Sequence, residues 1–355
     1  MKTIREENEA FLGEEYDFEK IKKYLHNSKL LWINSGKDYD DVKSYVNKNN
    51  IYTIYVRKEY IHIANKILWE CKTMEIVTIV DSNNPYEIEQ KVGRLSNKKL
   101  WDFFAANSLS QIGQGGWYHA FSGNIFSEAE MKEYEENVFT KLRKFIDRRK
   151  VVLEIGCASG LTMFRIAPYV KTYIGTDMGE VSIKKNMERV QNNNMDNIIV
   201  LQCEANKIID LDIQLKVDIV IINSVVQLFP GINYLKEVIE QACIFLETEG
   251  IIFLGDIMDL ATKENLLNNL KKIGKENFKA VSYKDVQSQL FLSKEYFQYL
   301  QSIVDGICDV EISDKIGNIR NELTDYRYDV ILKFNKNIKK GKNDSKKRQR
   351  AIEIL

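Results

Sequence analysis

The stretch Val151-Val152-Leu153-Glu154-Ile155-Gly156-Cys157-Ala158-Ser159-Gly160 decides the fold. Four apolar residues around one acid predict a short strand buried on both faces. The strand runs into a turn of small residues, and a helical pattern follows over 161–169. Glycines there let a backbone approach a ligand closely, and the next helix turns free N–H groups toward it. Strand, glycine turn and helix together predict a nucleotide-type cofactor site in a doubly wound α/β domain.

Outward from this unit the alternation is regular. Strands are expected at 172–176, 198–202, 217–222 and 250–255, with helices at 180–193, 233–246 and 260–273. A helix near 293–304 then leads to strands at 307–312 and 326–334. These last two have no helix between them and must pair antiparallel. The expected core is five parallel strands with an antiparallel finish.

Upstream, residues 1–96 predict a small α/β docking or linker subdomain. The first 29 residues show helical spacing. Strands follow at 30–33, 51–56 and 75–81, with helices at 39–48 and 59–71. No glycine-rich turn follows any of these strands, so no cofactor site is expected there. Residues 82–85 break the pattern. Residues 97–150 are expected to form a lid and a lead-in helix: 97–124 are aromatic, polar and glycine-rich, too apolar for a linker. Ser127 and Glu130 form a capping box opening a helix to about Ile146. The cofactor core is expected over 151–335, and the basic tail 336–355 is expected to be disordered.

Composition narrows the function. Of 355 residues, 44% are hydrophobic and 29% charged, and Lys+Arg equals Asp+Glu at 51 each, so no global field points to nucleic acid or membrane. The five cysteines are scattered without a CxxC pair, as in a cytoplasmic protein with reduced thiols. The N-terminus is too acidic for a signal peptide. The three histidines, His26, His62 and His119, have no metal-ligand spacing, so no metal is expected.

The turn also distinguishes between cofactors. Gly156, Ala158 and Gly160 depart from the spacing of a dinucleotide fingerprint. Glu154 would repel a pyrophosphate but suits a ligand with an amino group and a sulfonium. Asp177, ending the next strand, is placed to accept from ribose hydroxyls. Glu204-Ala205-Asn206 ends the third strand, where an adenine edge would lie. A methyl donor is favoured over a dinucleotide, and a dehydrogenase is the remote alternative.

Four ordered blocks sharpen this: VVLEIGCASGLTMFRIAPYVKTYIGTDMG, INSVVQLFPGINYLKEVIEQA, GIIFLGDIMDL and NELTDYRYDVIL. With the weaker upstream block GGWYHAFSGNIFSEAEM, they resemble the methyltransferase domains of nonribosomal peptide and polyketide synthases. The resemblance implies a Rossmann-like class I sheet and S-adenosylmethionine (SAM) as cofactor. It implies cofactor contacts at Glu154, Gly156, Cys157, Gly160, Asp177, Met178, Ala205, Asn206, Asn223 and Ser224. It also implies an acyl or peptidyl carrier protein presenting the substrate. Ala158, Leu228, Met258, His119 and Phe121 depart from the family pattern, and all but Ala158 lie on the expected acceptor side.

A hydroxyl or ammonium acceptor must lose a proton during transfer. His119 and Glu322 are the candidate bases, Gln227 can orient the acceptor, and Phe103, Phe104, Trp117, Tyr118 and Phe121 are candidate walls for it. Tyr326, Arg327, Asp329 and His62 read as structural. No adenylation-domain motif appears in the first 100 residues, which tilts the expectation toward O-methylation of a carrier-tethered polyketide or peptide. N-methylation, a free-standing enzyme for a diffusible substrate and a SAM-binding scaffold are the alternatives.

Overall fold

The computed structural model describes residues 8–24, 29–74, 76–80, 98–273, 286, 289–339 and 351–354. The break expected at 82–85 and residues 340–350 of the expected basic tail fall outside these residues, as does His26. The chain forms two compact units: one of residues 1–93, 230–234 and 341–355, the other of residues 94–229 and 235–340.

The smaller unit is a five-stranded, all-parallel sheet. Its strands are β1 (Asn8–Gly13), β2 (Leu31–Asn34), β3 (Ile51–Val56), β4 (Ile76–Ile79) and β13 (Ala351–Ile354), in the order β13-β4-β3-β1-β2. Helices Glu15–Tyr24, Tyr39–Lys48 and Ile61–Glu70 connect the first four strands. Two expectations are corrected. Residues 8–13 are a strand rather than helix, because Ala10, Phe11 and Leu12 lie buried between two neighbouring strands. Within the expected basic tail, Ala351–Ile354 is a strand that adds in parallel to β4.

In the larger unit, strands β5 (Val151–Ile155), β6 (Thr172–Asp177), β7 (Ile198–Gln202), β8 (Val217–Asn223), β9 (Leu246–Asp259), β11 (Ile307–Asp314) and β12 (Arg327–Asn335) run in the order β11-β12-β9-β8-β5-β6-β7. Strands β5 to β9 are parallel. The closing strands are antiparallel as expected, with β12 entering the slot between β9 and β11. A short β10 (Phe291–Leu292) extends the sheet beside the end of β9.

Every residue of β5 is buried, as is proper to a strand covered on both faces. Helices Leu161–Ile166, Glu180–Asn192 and Ile232–Phe245 make the crossovers. From β5 the chain moves to β6 on one side, and later to β8 on the other. The order therefore reverses at the C-terminal ends of β5 and β8, and a crevice for ligands opens at such a point.

Candidate active site

The turn after β5 is pinned from below and beside. The N–H groups of Gly156 and Cys157 both donate to the Thr176 carbonyl, at 2.7 and 2.8 Å. Gly156 has φ +82°, and a Cβ there would collide with Val225, in the turn after β8. Glycine is required at this position by both backbone angle and space. Ala158 also lies in the left-handed region, at φ 43°, and Gly160 at 82°. The turn's outer carbonyls are held by side chains: Asn186 donates to Ala158 O at 2.8 Å, and Arg189 and Gln111 donate to Ser159 O at 2.7 and 2.9 Å. The cap segment thus lies on the turn, tied to it by Gln111.

Two acids flank the turn. Glu154 is buried, accepts from the Tyr173 hydroxyl at 2.9 Å, and has its carboxyl pushed up to about 8, chiefly by burial and further by the Asp177 charge. Asp177 receives the Ala158 and Gly179 N–H groups at 2.9 and 2.7 Å, one on each carboxylate oxygen. Burial nonetheless holds its pKa above the ordinary carboxylate value. Each oxygen keeps a lone pair that can take a hydroxyl.

The remaining predicted cofactor residues lie along the same sheet ends. Met178 follows Asp177, and its carbonyl accepts from Gln202 at 3.1 Å. Ala205 and Asn206 open a 3-10 turn, where the Asn206 carbonyl accepts from Gln241 at 2.7 Å. Cys157 places its thiol in the core beside Met163 and Ile183, so only its backbone is available to a ligand. Asn223 ends β8 opposite Gly255, and a Cβ at Gly255 would collide with the Asn223 amide. The Asn223 Oδ1 and Gln227 Oε1 atoms are buried without hydrogen-bond partners. Glycines that open a cradle, a buried acid for an ammonium, a second acid for hydroxyls and the orphaned Asn223 amide oxygen fit SAM.

The structure brings His119, Glu322 and Glu130 together. The imidazole meets Glu322 Oε2 through Nδ1 at 3.2 Å and Glu130 Oε2 through Nε2 at 3.3 Å, and stacks on Phe126. Glu322 Oε1 takes the Ala120 N–H, and Glu130 takes Ser127 and Asn321 as well. Every ring nitrogen and carboxylate oxygen in this trio has a protein partner. Ser127 and Glu130 form the expected capping box, and the helix it opens spans Glu128–Leu142.

The aromatic residues do not form one wall. Phe103 is exposed, Phe104 meets Tyr118, and Trp117 packs on Tyr134 at 4.6 Å between centroids. Phe121 instead joins Met258, Leu266, Val286, Phe291 and Tyr326 in an apolar cluster. Two of the residues that depart from the family pattern, Phe121 and Met258, therefore share one apolar cluster.

Sequence reasoning missed Asp256. It is fully buried at φ +67°, accepts from the Ser224 hydroxyl at 2.5 Å, and is ion-paired with Arg327 and with Lys315. Ser224 in turn meets the Tyr134 hydroxyl at 2.9 Å. Asp329, also buried, pairs with Lys141 at 2.7 Å and Lys315 at 3.1 Å, and accepts the Asp256 N–H at 2.7 Å. Burial alone would raise both carboxyls, but the cations outweigh it and hold them below the ordinary range. A single acid in the apolar run 251–258 was the available signal. Arg327, across the ladder from Met258, supplies Asp256 with a cation where the family pattern has arginine at 258.

A parallel sheet with an antiparallel strand inserted next to its edge, and an acid-flanked glycine turn at the reversal point, define a Rossmann-like methyltransferase. Residues 146–303 match the family model described as a methyltransferase domain. Those residues form a SAM-dependent methyltransferase domain. Curated relatives include chondramide synthase cmdD of Chondromyces crocatus, 33% identical over 61% of this chain, and the probable non-canonical nonribosomal peptide synthetase CymA of Salinispora arenicola, 32% identical over 61%. The matched regions span only 6% and 3% of those proteins. Phosphoethanolamine N-methyltransferase 1 of Haemonchus contortus is similar in structure, with a TM-score of 0.49 at 15% identity, over 70% of this chain and 50% of its own. Among the described residues no helix is long and apolar enough to cross a membrane, and no group of side chains could hold a metal ion.

Proposed function

We propose that this protein transfers the methyl group of SAM to the amino nitrogen of an aminoacyl or peptidyl unit presented on a carrier protein. The observation that carries this reading is that both ring nitrogens of His119 are engaged, one by Glu322 and the other by Glu130. A hydroxyl acceptor needs a base with a free lone pair in the transition state, whereas an amine keeps a neutral fraction near pH 7 and needs chiefly orientation. Gln227, with its unpartnered Oε1, is suited to orienting an N–H. The peptide-synthetase relatives support the aminoacyl context.

SAM supplies an electrophilic methyl carbon. Glu154 would hold its ammonium and Asp177 its ribose hydroxyls. The backbone of Gly156, Cys157 and Gly160 would allow close approach, with Met178, Ala205, Asn206, Asn223 and Ser224 completing the enclosure. His119 and Glu322 act by holding the cap on the helix 128–142 and on the turn before β12.

O-methylation is the second reading, favoured by the place of His119 in the cap. The test is intact-mass spectrometry of carrier-bound aminoacyl and hydroxyacyl thioesters incubated with SAM. A gain of one methylene on the aminoacyl thioester is expected. A gain on the hydroxyacyl thioester alone, abolished in His119→Ala and Glu322→Gln while SAM still binds, would establish O-methylation instead. Equal turnover of free thioesters without carrier would point to a free-standing enzyme.

A further inference from the structure

Beyond the cofactor turn and the cap, the acceptor side carries a second orphaned amide. Gln289 buries its Oε1 without any hydrogen-bond partner, as Gln227 does. Gln227 is 7% exposed, and its Nε2 is committed to the Ser224 carbonyl at 2.9 Å, which fixes the orphaned atom as the carbonyl oxygen. Backbone bonds bring the two residues together. The N–H of Leu290 donates to the Gln227 carbonyl at 2.9 Å, and that of Gln289 donates to Val286 at 3.1 Å. The following residues, Phe291 and Leu292, pair with Met258 and Asp259 at the end of β9. Val286 and Phe291, on either side of Gln289 in the chain, belong to the apolar cluster with Met258, against which Phe121 and Tyr326 pack.

Native interiors leave few polar atoms unpaired, and two buried amide oxygens without partners call for donors brought by a ligand. We propose that Gln289 and Gln227 together receive the N–H groups of the acceptor amine, and that Gln289 thereby selects an amine over a hydroxyl substrate. The proposal rests on the amine reading above. A primary amine offers two donor hydrogens to two oxygens; a hydroxyl offers one and leaves the second oxygen unpaired. With both N–H groups held, the nitrogen lone pair is left to point at the methyl carbon. The N–C bond forms as the S–C bond breaks, its electron pair passes to sulfur, and the surplus proton leaves nitrogen for water.

The experiment uses the full chain with SAM and a matched pair of pantetheine thioesters, one aminoacyl and one hydroxyacyl. Wild-type turnover of the aminoacyl compound tests the underlying reading by itself. Gln289→Leu is then expected to lower kcat/KM for the aminoacyl compound about tenfold or more, the usual scale for losing a buried hydrogen-bond partner of the substrate. SAM affinity by calorimetry should not change, and Gln289→Glu, which keeps acceptor oxygens at the same reach, should restore much of the loss. Equal loss on both substrates, or unchanged aminoacyl turnover in Gln289→Leu and in the shortened Gln289→Asn, would overturn the role of Gln289 alone. A wild type that methylates only the hydroxyacyl compound would overturn both.

Discussion

Glu154 is the residue whose chemistry is easiest to test. In the ligand-free protein, burial pushes its carboxyl up to about 8, so at neutral pH the proton is mostly held. The folded value lies above the unfolded one, so its contribution to stability is complete below about pH 4.5 and is lost as pH rises toward 8. An ammonium placed beside it favours the ionised form, and binding then expels the proton. SAM affinity should therefore rise between about pH 6 and 7.5, below the range in which an α-amino group itself deprotonates. In Glu154→Gln that slope should vanish and affinity should fall about tenfold or more. Calorimetry in two buffers of different ionisation enthalpy measures the proton released. Glu154, Asp177 and Gly156 were legible in the sequence because their spacing is set by one strand and its turn. Asp256 and Gln289 were not, because their partners come from β12 and from the turn after β8, which only the folded sheet brings near.

At the scale of elements, the strands of the larger sheet follow the apolar runs of the sequence to within a few residues. The alternation fixed which runs are strands, but not that β12 lies between β9 and β11, since either lateral order buries the same residues. The first and last strands of the smaller sheet were missed for a different reason. Phe11 fits a helical spacing with Phe18 and Ile21 as well as it fits a strand, and Ala351–Ile354 is a single short run behind a charged tail. That last strand gives a sharp prediction. Proline has no N–H for the ladder, so Ile352→Pro should loosen the β4 edge by about 1 kcal/mol or more. Two-transition calorimetry should show the smaller unit melting earlier, with the SAM-stabilised transition unmoved; a shift of both would contradict the division into two units.

At the scale of the whole molecule, the buried charge network couples the integrity of the methyltransferase unit to acid. Asp256 and Asp329 carry depressed carboxyls, so their stabilisation is present above the unfolded value of about 4 and is lost as pH falls through the folded ones. Circular dichroism should show that unit unfolding in acid below about pH 4. Asp329→Asn should cost about 3–5 kcal/mol at pH 7 in urea denaturation, because Lys141 and Lys315 lose their shared counter-ion. It should also flatten the acid dependence.

The sheet that holds both β1 and β13 has a consequence for biosynthesis. Its fifth strand, residues 351–354, leaves the ribosome after the whole methyltransferase unit has been made. Domains fold as they emerge, so the larger unit completes first while β4 waits with a bare edge. An unpaired edge is a template for pairing with other chains. The nascent chain is therefore most exposed to misassembly in the interval between residue 80 and residue 354. A pause or truncation late in translation would release an active methyltransferase attached to an unfinished sheet.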